Sequence, residues 1–156
     1  MQSIDQKIKD LCIEILVGSS FCSDLSHSEI VLLRDAMELR RFNAGDEIIK
    51  EGEFGSFLGF VVDGEVLVTK AKRDGGVLNL RTLSVGKTFG EMSVVDRGKR
   101  SASVHAKGPV MIITTDYYAF EKLVDENHHL GVKLLRSISK TISERLREAS
   151  EDLAAI

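Results

Sequence analysis

The sequence predicts a mainly β fold with flanking α-helices: a small barrel or sandwich in the middle of the chain and helical segments on either side. Three observations carry this expectation. Between Leu39 and Thr115 short apolar runs are broken roughly every ten residues by glycine-bearing turn signals, at Asn43-Ala44-Gly45-Asp46, Glu51-Gly52-Glu53, Asp63-Gly64, Asp74-Gly75-Gly76, Val85-Gly86 and Lys107-Gly108-Pro109. Outside that stretch, apolar residues instead recur three and four apart, the period of a helix with one buried face. A length of 156 residues, 43% of them hydrophobic, suits one domain with one core.

Taken in order, Ile4, Ile8, Leu11 and Ile15 predict an amphipathic helix ending near Gly18. A second helix follows, capped by Ser26 or Ser28, with Ile30, Leu33 and Met37 on its apolar side beside Val31 and Leu32. Asp63-Gly64 between Phe60-Val61-Val62 and Val66-Leu67-Val68 predicts a two-residue hairpin, because such a turn requires positive φ. Asp74-Gly75-Gly76 predicts another, with Leu78, Leu80 and Leu83 on the returning strand. Ser101 to Ala106 alternates polar and apolar residues, so it reads as a half-buried strand with His105 on the exposed side, and Val110-Met111-Ile112-Ile113 reads as the closing strand. Asp116 then caps a short helix carrying Phe120, Leu123 and Val124, and Asn127 starts the last, long one. Its stripe of Leu134 or Leu135, Ile138, Ile142, Leu146, Ala149 and Leu153 either covers the barrel or, being close to a heptad, pairs two copies of the chain. A homodimer through this helix is the expectation. The divisions are then residues 1–38, 39–115 and 116–156 of a single domain spanning 1–156.

A formal net charge of −3 and a pI near 5.8 argue against a dedicated nucleic-acid binder. Arg40-Arg41 and Lys70 to Arg73 read as solvated strand ends. No apolar run approaches the ~18 residues that span a bilayer, and the opening MQSIDQKIKD is too acidic for a signal peptide, so a cytoplasmic location is the default. Cys12 and Cys22 offer neither zinc-site spacing nor a disulfide framework and read as reduced, partly buried thiols. His27, His105, His128 and His129 form no spaced ligand set, so neither a metal site nor a cofactor is expected.

The stretch from Phe89 to Val104, FGEMSVVDRGKRSASV, carries the chemistry. Gly90 lets the backbone approach a ligand, Glu91 can accept hydrogen bonds from sugar hydroxyls, and Arg100 offers a planar donor fork that fits a phosphate. Val94 and Val95 allow one helical turn after Gly90 whose N-terminal amides point at an anion. Ser101-Ala102-Ser103 are small enough for a ligand to lie against the backbone. The competing reading is a surface ion pair between Glu91 and Arg100, which contributes only about 0–1 kcal/mol.

Phe89, Gly90, Glu91, Met92 and Ser93, closed by Arg100, Ser101 and Ala102, resemble the phosphate-binding cassette of the cyclic nucleotide-binding domain family, which includes the catabolite activator and the regulatory subunits of protein kinase A. RFNAGDEIIKEGE and FVVDGEV resemble that family's early barrel strands, and the likeness spans residues 21–150. Val94 stands where leucine is usual, and Gly98-Lys99 replaces a common proline. The resemblance implies a double-stranded β-helix (jelly-roll) barrel with N-terminal helices and a C-terminal helix pair. It further implies that Glu91 holds the ribose 2′-hydroxyl, that Arg100 holds the exocyclic phosphate oxygens, and that the amides of Gly90, Met92 and Ala102 assist. An ungapped alignment from Arg100 places Arg145 on the turn of the long helix that contacts the purine, with Ile142 and Leu146 as apolar neighbours. Arg145 is therefore expected to be a lid stacking on the base, the alternative being a solvated arginine paired with Glu148 or Asp152.

The expected function is a non-catalytic sensor of a cyclic nucleotide, cyclic AMP ahead of cyclic GMP, since no nucleophile with its base is visible. Ser101 is ambiguous, because its hydroxyl can serve the phosphate or a guanine amino group. No helix-turn-helix follows the last helix, so direct DNA binding is not expected, and the chain reads as a stand-alone sensor for an unknown protein effector or as a regulatory domain cut from a larger chain. The alternative function is a degenerate barrel, or one sensing haem or another ligand, that acts as an interaction module.

Overall fold

The computed structural model describes residues 3–156. Within them, helix α1 (Ile4–Gly18), a 3-10 turn (Ser20–Cys22) and α2 (His27–Asp35) precede the strands β1 (Glu38–Phe42), β2 (Glu47–Ile49), β3 (Phe57–Asp63), β4 (Val66–Ala71), β5 (Val77–Leu83) and β6 (Thr88–Phe89). Helix α3 (Glu91–Asp96) interrupts the sheets before β7 (Ser103–Ala106) and β8 (Val110–Asp116), and α4 (Tyr117–Glu126) and α5 (His128–Ala154) follow. The fold is mainly β with helices on either side, as expected. Ser26 caps α2 in a reciprocal capping box with Glu29, and Asp116 caps α4 by accepting from the Ala119 amide at 2.7 Å.

The strands form two antiparallel four-stranded sheets, ordered β1-β8-β3-β6 and β2-β7-β4-β5. This order corrects one expectation. Asp63-Gly64 is not a hairpin, because β3 and β4 lie in different sheets: β3 pairs with β8, and β4 with β7 and β5. The turn is a corner at which the chain crosses from one sheet to the other. Gly64 has φ +85, and a Cβ there would meet the Pro109 carbonyl oxygen, which belongs to the adjacent crossing between β7 and β8. Positive φ fixed the turn, but the partner of each arm was set elsewhere in the chain. Asp74-Gly75-Gly76 does close a hairpin, with β4 and β5 in register from Val66↔Leu83 to Ala71↔Val77.

Crossings of this kind wind paired strands into the double-stranded β-helix. Strand β3 is buried on both faces because each face has its own core. Val61, with Val66, Val104 and Ile112, fills the barrel interior, while Leu58, Phe60 and Val62 point outward to Leu16, Leu33, Phe120, Leu134 and Ile138 of the helices.

Three smaller readings change, and one gains a contact. The buried face of α1 centres on Cys12 and Leu16 rather than on Leu11, which is exposed. Both thiols are fully buried instead of partly so, and burial pushes Cys22 up to about 12. His105 is half-buried opposite Leu67 and Glu47 rather than exposed. Lys70 lies exposed near the end of β4, as expected, but it is also tethered, since its Nζ donates to the Ser101 carbonyl at 2.6 Å and pairs with Glu51 at 3.2 Å. Among the described residues no helix is long and apolar enough to cross a membrane, and no group of three or more His, Cys, Asp or Glu side chains is placed to hold a metal ion.

Candidate functional site

A cavity of about 480 Å³ lies between the second sheet, the segment 89–102 and α5, within the usual size range for a small-molecule site. All nine residues singled out in the sequence line it: Phe89, Gly90, Glu91, Met92, Ser93, Arg100, Ser101, Ala102 and Arg145. Ile49, Val68, Leu80, Ile142, Leu146 and Ala149 supply apolar walls.

The polar end is built by backbone geometry. Gly90 takes φ +79 and ψ +17, so the chain leaves β6 and turns at once into α3, whose first residues are Glu91 and Met92. A Cβ on Gly90 would meet the Phe57 carbonyl oxygen at 2.5 Å and Arg100 Nη1 at 2.7 Å. Arg97, left-handed at φ 57, ends the helix and sends the chain back toward Arg100. Backbone hydrogen bonds then hold Arg100 against the β2–β3 loop: its amide donates to Glu53 O at 2.7 Å, and its carbonyl accepts from Gly52 at 2.9 Å.

The guanidinium of Arg100 is buried, 7% exposed as a residue. It donates from Nη2 to Phe57 O at 3.1 Å and from Nη1 to Gly90 O at 3.5 Å, and it lies 4.6 Å from the centre of the Phe57 ring. Those contacts leave its other N–H donors for an incoming anion. Burial pulls its pKa down to about 10, against the opposing pull of Glu91, so it stays charged at neutral pH. Gly55 makes this placement possible: a Cβ there would stand closer than 3.0 Å to Nε, Cδ and Cζ of Arg100.

Glu91 is 3% exposed and pairs with Arg145 rather than with Arg100, so the surface ion pair weighed in the sequence does not form. Its Oε2 accepts from Arg145 Nη1 at 2.5 Å, and its Oε1 accepts from the Thr88 hydroxyl at 2.5 Å. Arg145 Nη2 donates to the Thr88 carbonyl at 2.5 Å. Arg145 therefore reaches the cassette from α5, and neither Glu148 nor Asp152 is its partner; Glu148 instead pairs with Arg81 of β5 at 3.4 Å. Phe89 contributes chiefly to the barrel core, at 2% exposed and edge-on to Phe57, whereas Met92 is half exposed at the cavity rim. Ser93 is buried and Ser101 exposed.

Sequence reasoning missed Thr88, Gly55, Phe57 and Arg81. Thr88 carried a faint signal, a hydroxyl three residues before Glu91 in an otherwise apolar strand. The others carried none, because they join the site only through the winding of the sheets.

The arrangement presents a buried cation and helix N-terminal amides at one end, a buried carboxylate in the middle and an apolar slot at the other end. Residues 39–127 match the sequence profile described as the cyclic nucleotide-binding domain. The chain is 33% identical over 105 residues to the cAMP-dependent protein kinase regulatory subunit of Mycosarcoma maydis, an alignment that covers 64% of this chain and 20% of that subunit. A cyclic nucleotide-binding domain from Methylobacillus flagellatus KT superposes with a TM-score of 0.84 at 26% identity, over 96% of this chain and 84% of that one. The catabolite activator protein of Thermus thermophilus superposes at 0.80 and 26% identity, over 88% and 62%.

Proposed function

The chain belongs to the cyclic nucleotide-binding domain family, and on that premise we propose that it is a non-catalytic receptor module for a cyclic nucleotide, cyclic AMP ahead of cyclic GMP. The observation that carries this reading is the burial of both Glu91 and Arg100, at 3% and 7% exposed, in the wall of a nucleotide-sized cavity. Burying an arginine is costly unless its charge is paired, and Arg100 has two carbonyl acceptors but no carboxylate partner, so an anionic ligand would complete it. Both groups are fully formed, which argues against a degenerate barrel. In the proposed complex Arg100 and the amides of Gly90, Met92 and Ala102 hold the cyclic phosphate, Glu91 accepts from the ribose 2′-hydroxyl, and the purine lies between Leu80, Ile142, Leu146 and Arg145.

Cyclic AMP comes first because the base end is mainly apolar and because the aligned kinase subunit is named for it. One observation favours cyclic GMP as the second reading: Arg81 stands in the cavity wall beside the apolar slot, and an arginine fork matches the O6 and N7 acceptors of guanine. Isothermal titration with both nucleotides decides between them. No heat with either at high micromolar concentration overturns the proposal.

Output passes through α5 in this reading. Leu153, near the end of α5, is exposed at 71%, which supports pairing of two copies along the end of this helix. Light scattering on the purified chain tests that, and a monomer at tens of micromolar rejects it. We propose no direct contact with DNA and a separate protein as effector, in the cytoplasm, consistent with the acidic net charge of −3.

A further inference from the structure

We propose that Thr88 is a positioning residue for recognition of the ribose, setting the orientation in which Glu91 meets the 2′-hydroxyl; this rests on reading the cavity as a cyclic nucleotide site. Thr88 is 5% exposed and is fixed to the first sheet through its pairing with Phe60. Its hydroxyl donates to Glu91 Oε1 at 2.5 Å, while Arg145 Nη1 donates to Oε2 of the same carboxylate at 2.5 Å. The Thr88 carbonyl accepts Arg145 Nη2 at 2.5 Å and so closes a ring of three residues from β6, α3 and α5.

Each member of this ring has a distinct task. A carboxylate offers about four acceptor positions over its two oxygens, so two donors leave room for a third from the ligand. Arg145 alone would leave Glu91 free to turn about that single contact. Thr88 holds the second oxygen and thereby removes this freedom. Arg145 stands on α5, outside the barrel, whereas Thr88 belongs to the barrel wall. The orientation of the sugar acceptor is thus anchored to the rigid part of the fold.

The test compares cyclic AMP with 2′-deoxy cyclic AMP by titration, so that the readout is a ratio insensitive to a general loss of affinity. The wild-type chain should prefer the ribose form by about tenfold or more, the scale of a hydrogen bond to a charged acceptor. Thr88→Val, which keeps the branched shape that suits a strand, should bring the ratio within about threefold, and Thr88→Ser, which keeps the hydroxyl, should restore it. Thr88→Ala is the second removal variant and should behave as the valine does. A ratio that stays at or above the wild-type value in either removal variant overturns the assignment while leaving the proposed function intact. A wild-type chain that binds neither cyclic AMP nor cyclic GMP overturns the proposed function itself.

Discussion

Replacing Gly55 by alanine should weaken cyclic nucleotide binding at little cost to the fold. Gly55 touches no ligand in the proposed complex, yet a methyl group there would stand closer than 3.0 Å to Nε, Cδ and Cζ of Arg100. Because the loop is hydrogen-bonded to Gly98 through the Gly55 amide at 3.2 Å, the side chain of Arg100 is what must yield. Moving it off Phe57 O forfeits about 1 kcal/mol of hydrogen bonding, and moving it off the Phe57 ring forfeits about 0.5–1 kcal/mol more. Binding is weakened by the misalignment of Arg100 with the phosphate, so affinity should fall by about 1.5–3 kcal/mol, on the order of ten- to a hundredfold. Stability should fall by only about 1 kcal/mol, because the lost Arg100 contacts are partly offset: φ at Gly55 lies outside the left-handed region, and alanine lowers unfolded-state entropy by about 0.4–1 kcal/mol. The assay is a double-mutant cycle by titration calorimetry with Arg100→Ala, itself expected to cost about 2–5 kcal/mol of binding. In the Arg100→Ala background the Gly55 change should add less than about 0.5 kcal/mol, since its target is gone. Wild-type affinity in Gly55→Ala, or an undiminished effect without Arg100, would refute the reasoning.

Arg145→Ala should weaken cyclic AMP and lower stability by about 2 kcal/mol, short of the 3–5 kcal/mol of a fully buried pair because part of the side chain meets water; equal affinity in mutant and wild type removes its role at the site. Gly64→Ala should cost at least about 1–2 kcal/mol in urea denaturation from left-handed strain alone, and a loss under about 0.5 kcal/mol would contradict the tight crossing between sheets. Glu29 sits at about 2, well below the ordinary carboxylate value, chiefly because Lys133 Nζ donates to it at 2.7 Å and also because the Ser26 amide does. A depressed carboxylate stabilises the fold fully above about pH 4.5 and loses that contribution as the pH falls toward 2. Thermal melts across that window should show a shallower slope in Lys133→Met than in wild type, and identical slopes would show that Lys133 does not set the Glu29 value.

What could be read from the sequence was what is written locally. The caps Ser26 and Asp116, the hairpin at Asp74-Gly75-Gly76 and the run from Phe89 to Ala102 depend on residues within a few positions of one another, and all were legible. Asp63-Gly64 failed because a turn with positive φ looks the same whether its arms pair with each other or, as here, with strands far along the chain, β8 and β7. Glu91 and Arg100 were identified as a pair by spacing, but burial sends them to different partners, Arg145 and Phe57. Thr88 was barely legible and Gly55 not at all, for a related reason: one acts through a hydroxyl that any strand can carry, the other through the absence of an atom.

Helix α5 changes character along its length. Leu130, Leu134 and Ile138 are buried under the first sheet, while every residue beyond Leu146 is exposed. The changeover falls at Ile142 and Arg145, where the cavity touches the helix. Mechanically this is a beam clamped at one end, with its fulcrum at the cavity and about 18 Å of helix beyond Ile142, held to the barrel through the side chains of Arg145 and Glu148. A rotation of about 10° at that fulcrum moves the far tip by about 3 Å, enough to make or break a contact between side chains. A cavity that grips one side of the fulcrum thus converts a shift too small to remodel the barrel into a displacement that a neighbouring molecule can register.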